Sequence, residues 1–173
     1  SSRLAMIDIN NSNKLDEDEE ENLLEAYNLN SLLYEIQSDK NIIKYINEKK
    51  GTNMPDLTDP IEYYNNNFSN RNIFRFILTH PHMDHMTGMY RLFKQSGIQV
   101  NCFWDTDNNF EPDFSSDYCN YDKDDWDCYQ EMRNKEFSRY YTRDNDQYKF
   151  LIQDGINVLH PTQEMIDEEN SKD

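Results

Sequence analysis

Three of the four histidines in this chain fall within six residues, at His80, His82 and His85, and Asp84 sits among them. Imidazole nitrogen and carboxylate oxygen are the donors that zinc and similar borderline divalent cations prefer. Neighbouring members of the set are only one or two residues apart. Their side chains can converge only where the backbone turns sharply. A loop at the end of a strand provides that turn, whereas a regular helix would scatter the four groups. A pair of histidines in a loop is usually structural or merely exposed. The full His-x-His-x-Asp-His pattern, with Thr79 before it and Gly88 after it, is far rarer.

The flanking residues supply the elements such a loop needs. Residues 72–79 form a short run of β-branched and aromatic side chains, which reads as a buried strand in a parallel or mixed sheet. Pro81 lacks an N–H and ends any ladder. Met89, Leu92 and Phe93 then recur at helical spacing, with Gly97 as a stop. The cluster is therefore expected at a strand–loop–helix junction, outside the carboxyl end of a strand, where open α/β sheets place their sites.

At 173 residues, the chain is long enough for one domain with a real core. Only 36% of residues are hydrophobic and mean hydropathy is -1.05, so Tyr and Phe must supply much of that core. No stretch approaches the roughly 20 apolar residues of a membrane span. A net charge of -17 argues against a broad phosphate-binding surface, because sequence-independent nucleic-acid affinity comes from Lys and Arg. It leaves a phosphodiester substrate open, since bound divalent cations change the local field. Cys102, Cys119 and Cys128 form no CxxC pattern, which suits unpaired thiols and a cytoplasmic setting.

Elsewhere, residues 4–10 read as a strand ending in a polar turn. The acidic run 14–21 reads as an exposed loop or a helix start. Asp39 can cap a helix whose apolar face is Ile42, Ile43 and Ile46 and which Gly51 closes. Asp59-Pro60 signals another helix start, with Asn65, Asn66 and Asn67 as a loop. A second strand is expected over 98–104 and a long acidic loop over 105–125. Asp124 can cap a helix reaching Tyr141, with Trp126, Tyr129, Arg133, Phe137 and Tyr140 on one face. Such a stripe is more often core or partner contact than a ligand box. Residues 148–152 and 156–159 flank a hairpin signal at Asp154-Gly155. The charged tail 162–173 is expected to fray.

The run from Leu78 to Met89, with its HxHxDH pattern, resembles the signature of the metallo-β-lactamase superfamily, nearest its ComEC-like competence-protein hydrolase branch. The resemblance implies an α/β (α+β) chain with an αββα sandwich that holds one or two divalent metal ions, zinc above all, or manganese or iron. It implies that His80 and His82 bind the first ion and that Asp84 and His85 bind the second. Asp84 would also act in catalysis by orienting the attacking water. Residues 6–10 resemble the family's early strand, which ends in an Asp near the metal loop, here Asp8. His160, before Pro161, resembles a structural histidine of a later segment; its alternative role is a further ligand. The later Gly-Asp and final His of the family pattern are not identifiable. The chain, read as a single domain over 1–173, is thus expected to be the N-terminal part of the sandwich, completed by a C-terminal half or a second chain.

These residues lead to a metal-dependent hydrolase that uses a metal-activated water, with a phosphodiester or nucleotide substrate favoured. Two alternatives stand beside it. One is a catalytically incomplete binding or regulatory module working through the aromatic helix. The other is a hydrolase of a thioester or lactam, since one ligand motif serves many substrates.

Overall fold

Short runs at four separated points of the chain, three of them centred on Met6, Phe76 and Trp104, form four strands. These are β1 (Ala5–Ile7), β2 (Arg75–Ile77), β3 (Phe103–Asp105) and β4 (Ser138–Tyr140). They make one parallel sheet in the order β1-β2-β3-β4. The computed structural model describes residues 3–9, 43–44, 46–48, 51–52, 59–69, 71–143, 153 and 155–172. The chain divides into two compact units, Ser1–Asn10 with Asn70–Asp173, and Asn11–Ser69.

The sheet belongs to the first unit. Parallel neighbours need crossover connections, and a consecutive order makes every crossover step the same way. Right-handed crossovers of that kind bring their helices to one face. Accordingly, the helical segment after β2 packs on Phe76 of β2, helix α3 (Lys123–Arg133) packs on β3, and the two helical segments touch each other. On that face Phe76 stacks on Phe103 at 5.6 Å, Phe93 meets Phe76 edge-on at 5.3 Å, and Tyr129 lies 6.4 Å from Phe103. Phe76, Phe103 and Tyr129 are fully buried. Each such side chain contributes roughly 1.5–3 kcal/mol through burial. Because strand side chains alternate, Trp104 faces the other way. It packs with Tyr141, Ile77, Cys102, Ile156 and Val158, and the Arg75 guanidinium lies 4.1 Å over its ring.

The fold bears out the α/β class: a parallel four-stranded sheet with helices. Among the described residues this is one sheet, so the αββα sandwich is not on display. The expected strands before and after the histidine cluster are present, with shorter bounds. The helix expected after the cluster is split. One turn, α2 (Met83–Met86), precedes Gly88, and Arg91–Gln95 is π-helical, with Ser96 N–H donating to Arg91 C=O at 2.9 Å. Gly97 follows with a φ of 64°.

Several expectations are corrected. The aromatic helix does not reach Tyr141. Asp122, rather than Asp124, caps it by accepting from Asp125 N–H, and it ends at Arg133. The Ser138 hydroxyl takes up the Met132 carbonyl, and Ser138–Tyr140 joins β3 as an edge strand. The spacing of Phe137 and Tyr140 mimics a helix, but the open edge of β3 captures that segment. Trp126 and Tyr129 are buried in the core, so they do not form a free face. Residues 156–159 form no strand; Ile156 and Val158 instead cover Trp104. The other arm of that expected hairpin, 148–152, lies outside the described residues. The segment from Thr162 is helical, not frayed. α4 (Gln163–Asn170) is capped by Thr162 and anchored by buried Ile166. Of the loop expected over 105–125, Thr106 to Asp122 is irregular, while Asp105 belongs to β3 and residues 123–125 open α3.

In the second unit, α1 (Pro60–Phe68) begins where expected. The Asp59 carboxylate accepts from Ile61 and Glu62 N–H at 2.9 and 3.1 Å. It runs through Asn65, Asn66 and Asn67, correcting the expected loop, because Ile61 and Tyr64 bury one face and Asn67 donates back to the Tyr63 carbonyl. Ile43 and Ile46 lie buried on helical backbone, as their spacing predicts. Asp39, Ile42 and the acidic run 14–21 lie outside the described residues.

Candidate metal centre

All four strands are parallel, so their carboxyl ends share one edge of the sheet, and the residues after each strand meet there. Asp8 follows β1, and the residues from Thr79 to His85 follow β2. Thr106, Asn108 and Phe110 follow β3, and Tyr141 follows β4.

His80 and His82 lie on the bent loop that leaves β2, and Asp84 and His85 on the single turn α2. The side chains thus converge where a bent segment folds into one helical turn, at the strand–loop–helix junction that the spacing predicts. His82 N-caps that turn, with His85 N–H donating to His82 C=O at 2.9 Å. Each of His80, His82 and Asp84 offers one ligand atom, and these atoms lie within 4.8 Å of one another. His85 is outside that three-way group but adjoins it. Its ring lies 3.9 Å from that of His80, and its Nε2 is 3.1 Å from Asp84 Oδ2. His82 and Asp84 are exposed, and His80 is half-buried.

Asp8 organises this set. It is the only described non-glycine residue with positive φ, at 52°, a conformation Asp tolerates better than most residues. The turn brings its carboxylate against the β2 exit. Oδ1 accepts from Thr79 N–H at 2.7 Å. Oδ2 accepts from the Thr79 hydroxyl at 2.8 Å and from His85 Nδ1 at 2.9 Å. An ionised carboxylate only accepts, so the bond to Asp8 places a His85 proton on Nδ1 and turns Nε2 toward Asp84 and the cluster. The Thr79 hydroxyl, having donated to Asp8, can accept from His80 Nδ1 at 3.1 Å, which likewise leaves His80 Nε2 as its donor atom. Burial, followed by the neighbouring His85 and His82, pushes the His80 pKa below the usual histidine value. Neutral imidazole is the form a metal takes. The donor set and its carboxylate–histidine support therefore fit a divalent cation.

Three more side chains hold the loop. The Asp125 carboxylate, from α3, accepts from Gly88 and Tyr90 N–H at 2.8 and 2.7 Å and so caps the chain as it turns away from the cluster. Gly88 has a φ of 98°, which a side chain would strain. The Tyr121 hydroxyl donates to Pro81 C=O at 3.1 Å, and Tyr141 donates to Leu78 C=O at 3.1 Å. Asp125, Tyr121 and Tyr141 were not singled out from sequence as site residues. The N-cap preference of Asp is a signal, but nothing local says which helix it caps.

Asp105 ends β3 yet stays out of the cluster. It is fully buried, accepting from Tyr129 at 2.9 Å and from Thr106 N–H at 2.8 Å, with Arg133 Nε 3.2 Å away. Burial raises its pKa to about 6 against the opposing pull of Arg133. His160 is exposed and outside the His80–His82–Asp84 group, but it shares a cavity wall with His80 and His82. All three cysteines are free, and burial pushes the Cys128 thiol up to about 12. No described helix is long and apolar enough to cross a membrane. Comparison with family models, curated proteins and solved structures finds no match to this chain.

Proposed function

We propose that this chain carries the metal centre of a metallo-β-lactamase-type hydrolase that acts on a phosphodiester or nucleotide. One observation carries the reading. His80, His82 and Asp84 bring their ligand atoms within 4.8 Å of one another at the carboxyl edge of a parallel sheet. His85, oriented by Asp8, supplies a further donor beside them. A bound divalent cation, zinc above all, with manganese or iron as alternatives, would lower the pKa of water and polarise the electrophile.

This chain's own residues do the rest. Asp8 and Thr79 hold the Nδ1 protons of His85 and His80, so that both rings present Nε2. Asp84 is exposed and lies beside His85, where it can accept a proton from the attacking water and orient it. Tyr121 and Tyr141 hold the backbone at Pro81 and Leu78, which limits drift of the ligands. An αββα sandwich, completed by a C-terminal half or a second chain, is the fold that goes with this reading, and three unpaired thiols support a cytoplasmic setting.

Elemental analysis of the purified protein should find zinc or a comparable cation bound in stoichiometric amount. His82→Ala should remove most of it, along with hydrolysis of a chromogenic phosphodiester. A metal-free preparation, or full activity in His82→Ala, would overturn the reading.

A further inference from the structure

The cluster opens onto a cavity of about 700 Å³. That size lies within the roughly 300–1,000 Å³ usual for small-molecule sites. His80 and His82 stand on its wall, so an occupant would present its reacting group to the ligand set. Volume admits a nucleotide ester as readily as a smaller one. The chemistry of the walls separates the two.

Six residues supply apolar surface: Pro81, Phe110, Tyr141, Pro161, Met165 and Ile166. Phe110 stands edge-on to the His82 ring at 6.0 Å, so this surface begins beside the ligand set.

The polar side chains on the same walls are already engaged within the protein. The Thr79 hydroxyl donates to Asp8 at 2.8 Å, and the Tyr141 hydroxyl donates to Leu78 C=O at 3.1 Å. Asn108 Nδ2 donates to the Tyr129 hydroxyl and to the Thr106 carbonyl and hydroxyl, each at 3.1 Å, while Asn108 Oδ1 is buried out of a ligand's reach. Asn170 donates to the Asp107 carbonyl at 2.8 Å and accepts from Asn109 N–H at 3.0 Å. The Glu169 carboxylate is paired with Lys172 Nζ at 2.7 Å. The polar side chains that remain for an occupant are the histidines: His80, His82 and the exposed His160.

Charge narrows the occupant further. Neither Lys nor Arg lines the cavity, Glu169 does, and the chain carries -17. One phosphate would be compensated by a metal at the ligand set, whereas a second anionic group would meet acidic surroundings. A nucleobase brings several ring N–H and carbonyl groups. In this cavity they would leave water without gaining protein partners, which costs affinity. A plain hydrocarbon group loses only its contact with water, which favours burial.

We propose, on the basis of the metal-centre reading above, that the cavity takes a phosphodiester of a compact, uncharged, apolar alcohol and selects against nucleotides. The phosphate lies at His80 and His82, and the apolar group lies among Phe110, Met165 and Ile166. Phe110 and Met165 are then specificity residues that act on binding of that group and not on the reacting atoms.

The test uses the full chain loaded with zinc and three probes: benzyl methyl phosphate, its para-carboxybenzyl analogue, and the methyl ester of thymidine 5′-phosphate. All three are methyl phosphodiesters of primary alcohols, so KM reports the variable group. KM for the benzyl ester should lie at least about tenfold below that of either other ester. Met165→Lys, at an exposed position on the cavity wall, adds a cation there and should shrink the gap between the benzyl and carboxybenzyl esters to about twofold or less. Elemental analysis and turnover of the same sample separate the two levels of the argument. Absence of zinc, or bound zinc with no hydrolysis of any of the three esters, overturns the metal-centre reading and this proposal together. With zinc bound and turnover present, three outcomes overturn the cavity proposal alone: a KM for the thymidine ester equal to or below that of the benzyl ester, equal KM for the benzyl and carboxybenzyl esters, or an undiminished gap between those two in Met165→Lys.

Discussion

His85 Nδ1 lies 2.9 Å from Asp8 Oδ2, although 77 positions separate them in the chain. β1 and β2 pair in parallel with Ile7 opposite Ile77, which sets the residue after β1 against the exit of β2. The same carboxylate takes the backbone and side-chain donors of Thr79. One aspartate thus ties the orientation of the ligand loop to the register of the sheet.

Asp8→Asn should weaken zinc binding about 10–100-fold, the usual effect of losing a carboxylate behind a ligating histidine. The amide can donate as well as accept, so it no longer dictates which His85 nitrogen is protonated. Competition with a chromogenic chelator would measure this, and far-UV circular dichroism should show unchanged secondary structure. An unaltered zinc affinity would remove Asp8 from the site.

Chelation should lower thermal stability in a concentration-dependent way. A ligand that binds only the folded state adds about 2.7 kcal/mol at a hundred times its Kd. Melting curves across a zinc titration should therefore shift upward in the native chain. His80→Ala and Asp84→Ala should respond far less.

Asp105 should make stability depend on acidity between about pH 4 and 6. Its folded pKa, about 6, is raised above the ordinary 3.8 by burial. The folded state therefore binds the proton more tightly, and this contribution is fully present below about pH 4 and lost as pH rises through 6. A displacement of that size corresponds to roughly 3 kcal/mol. Urea unfolding across this range should show stability falling with rising pH in the native chain, with a flatter profile in Asp105→Asn. The same slope in both would show that another group is responsible.

Asp125→Ala should destabilise the fold by about 1–3 kcal/mol, since it leaves the Gly88 and Tyr90 amides without their acceptor. Relief of the buried charge offsets part of that loss, because burial already raises the Asp125 pKa. Asp125→Asn keeps one acceptor oxygen and should lose less. Urea titration at neutral pH gives both values. A gain in stability for the alanine variant would contradict the capping role.

The four donor residues, the strand before them and the turn after them were legible in the chain, because ligand type and short-range hydrophobic pattern are local. Local chemistry also marked the caps: Asp59 starts α1 where expected, and Gly97 follows the helical turn. Errors came where two local patterns compete. Phe137 and Tyr140 fit a helical stripe by spacing, yet they follow an Asn-ended helix, and β3 offers a free edge. The segment at Thr162 looked like a charged tail, but one buried residue, Ile166, a bond from Asn170 to the Asp107 carbonyl and two bonds that Asn170 accepts from Asn109 hold it as a cavity wall.

Residue types alone settled which atoms could bind a metal and roughly where the chain must bend to gather them. Tertiary structure decided what stands behind and beside those atoms: Asp8 under His85, Asp125 on the Gly88 amide, and Asn108 with His160 on the walls of one cavity. Strand register and the parallel order of the sheet create these pairings. Both depend on contacts between residues far apart in sequence, and such contacts leave no periodic mark on either segment.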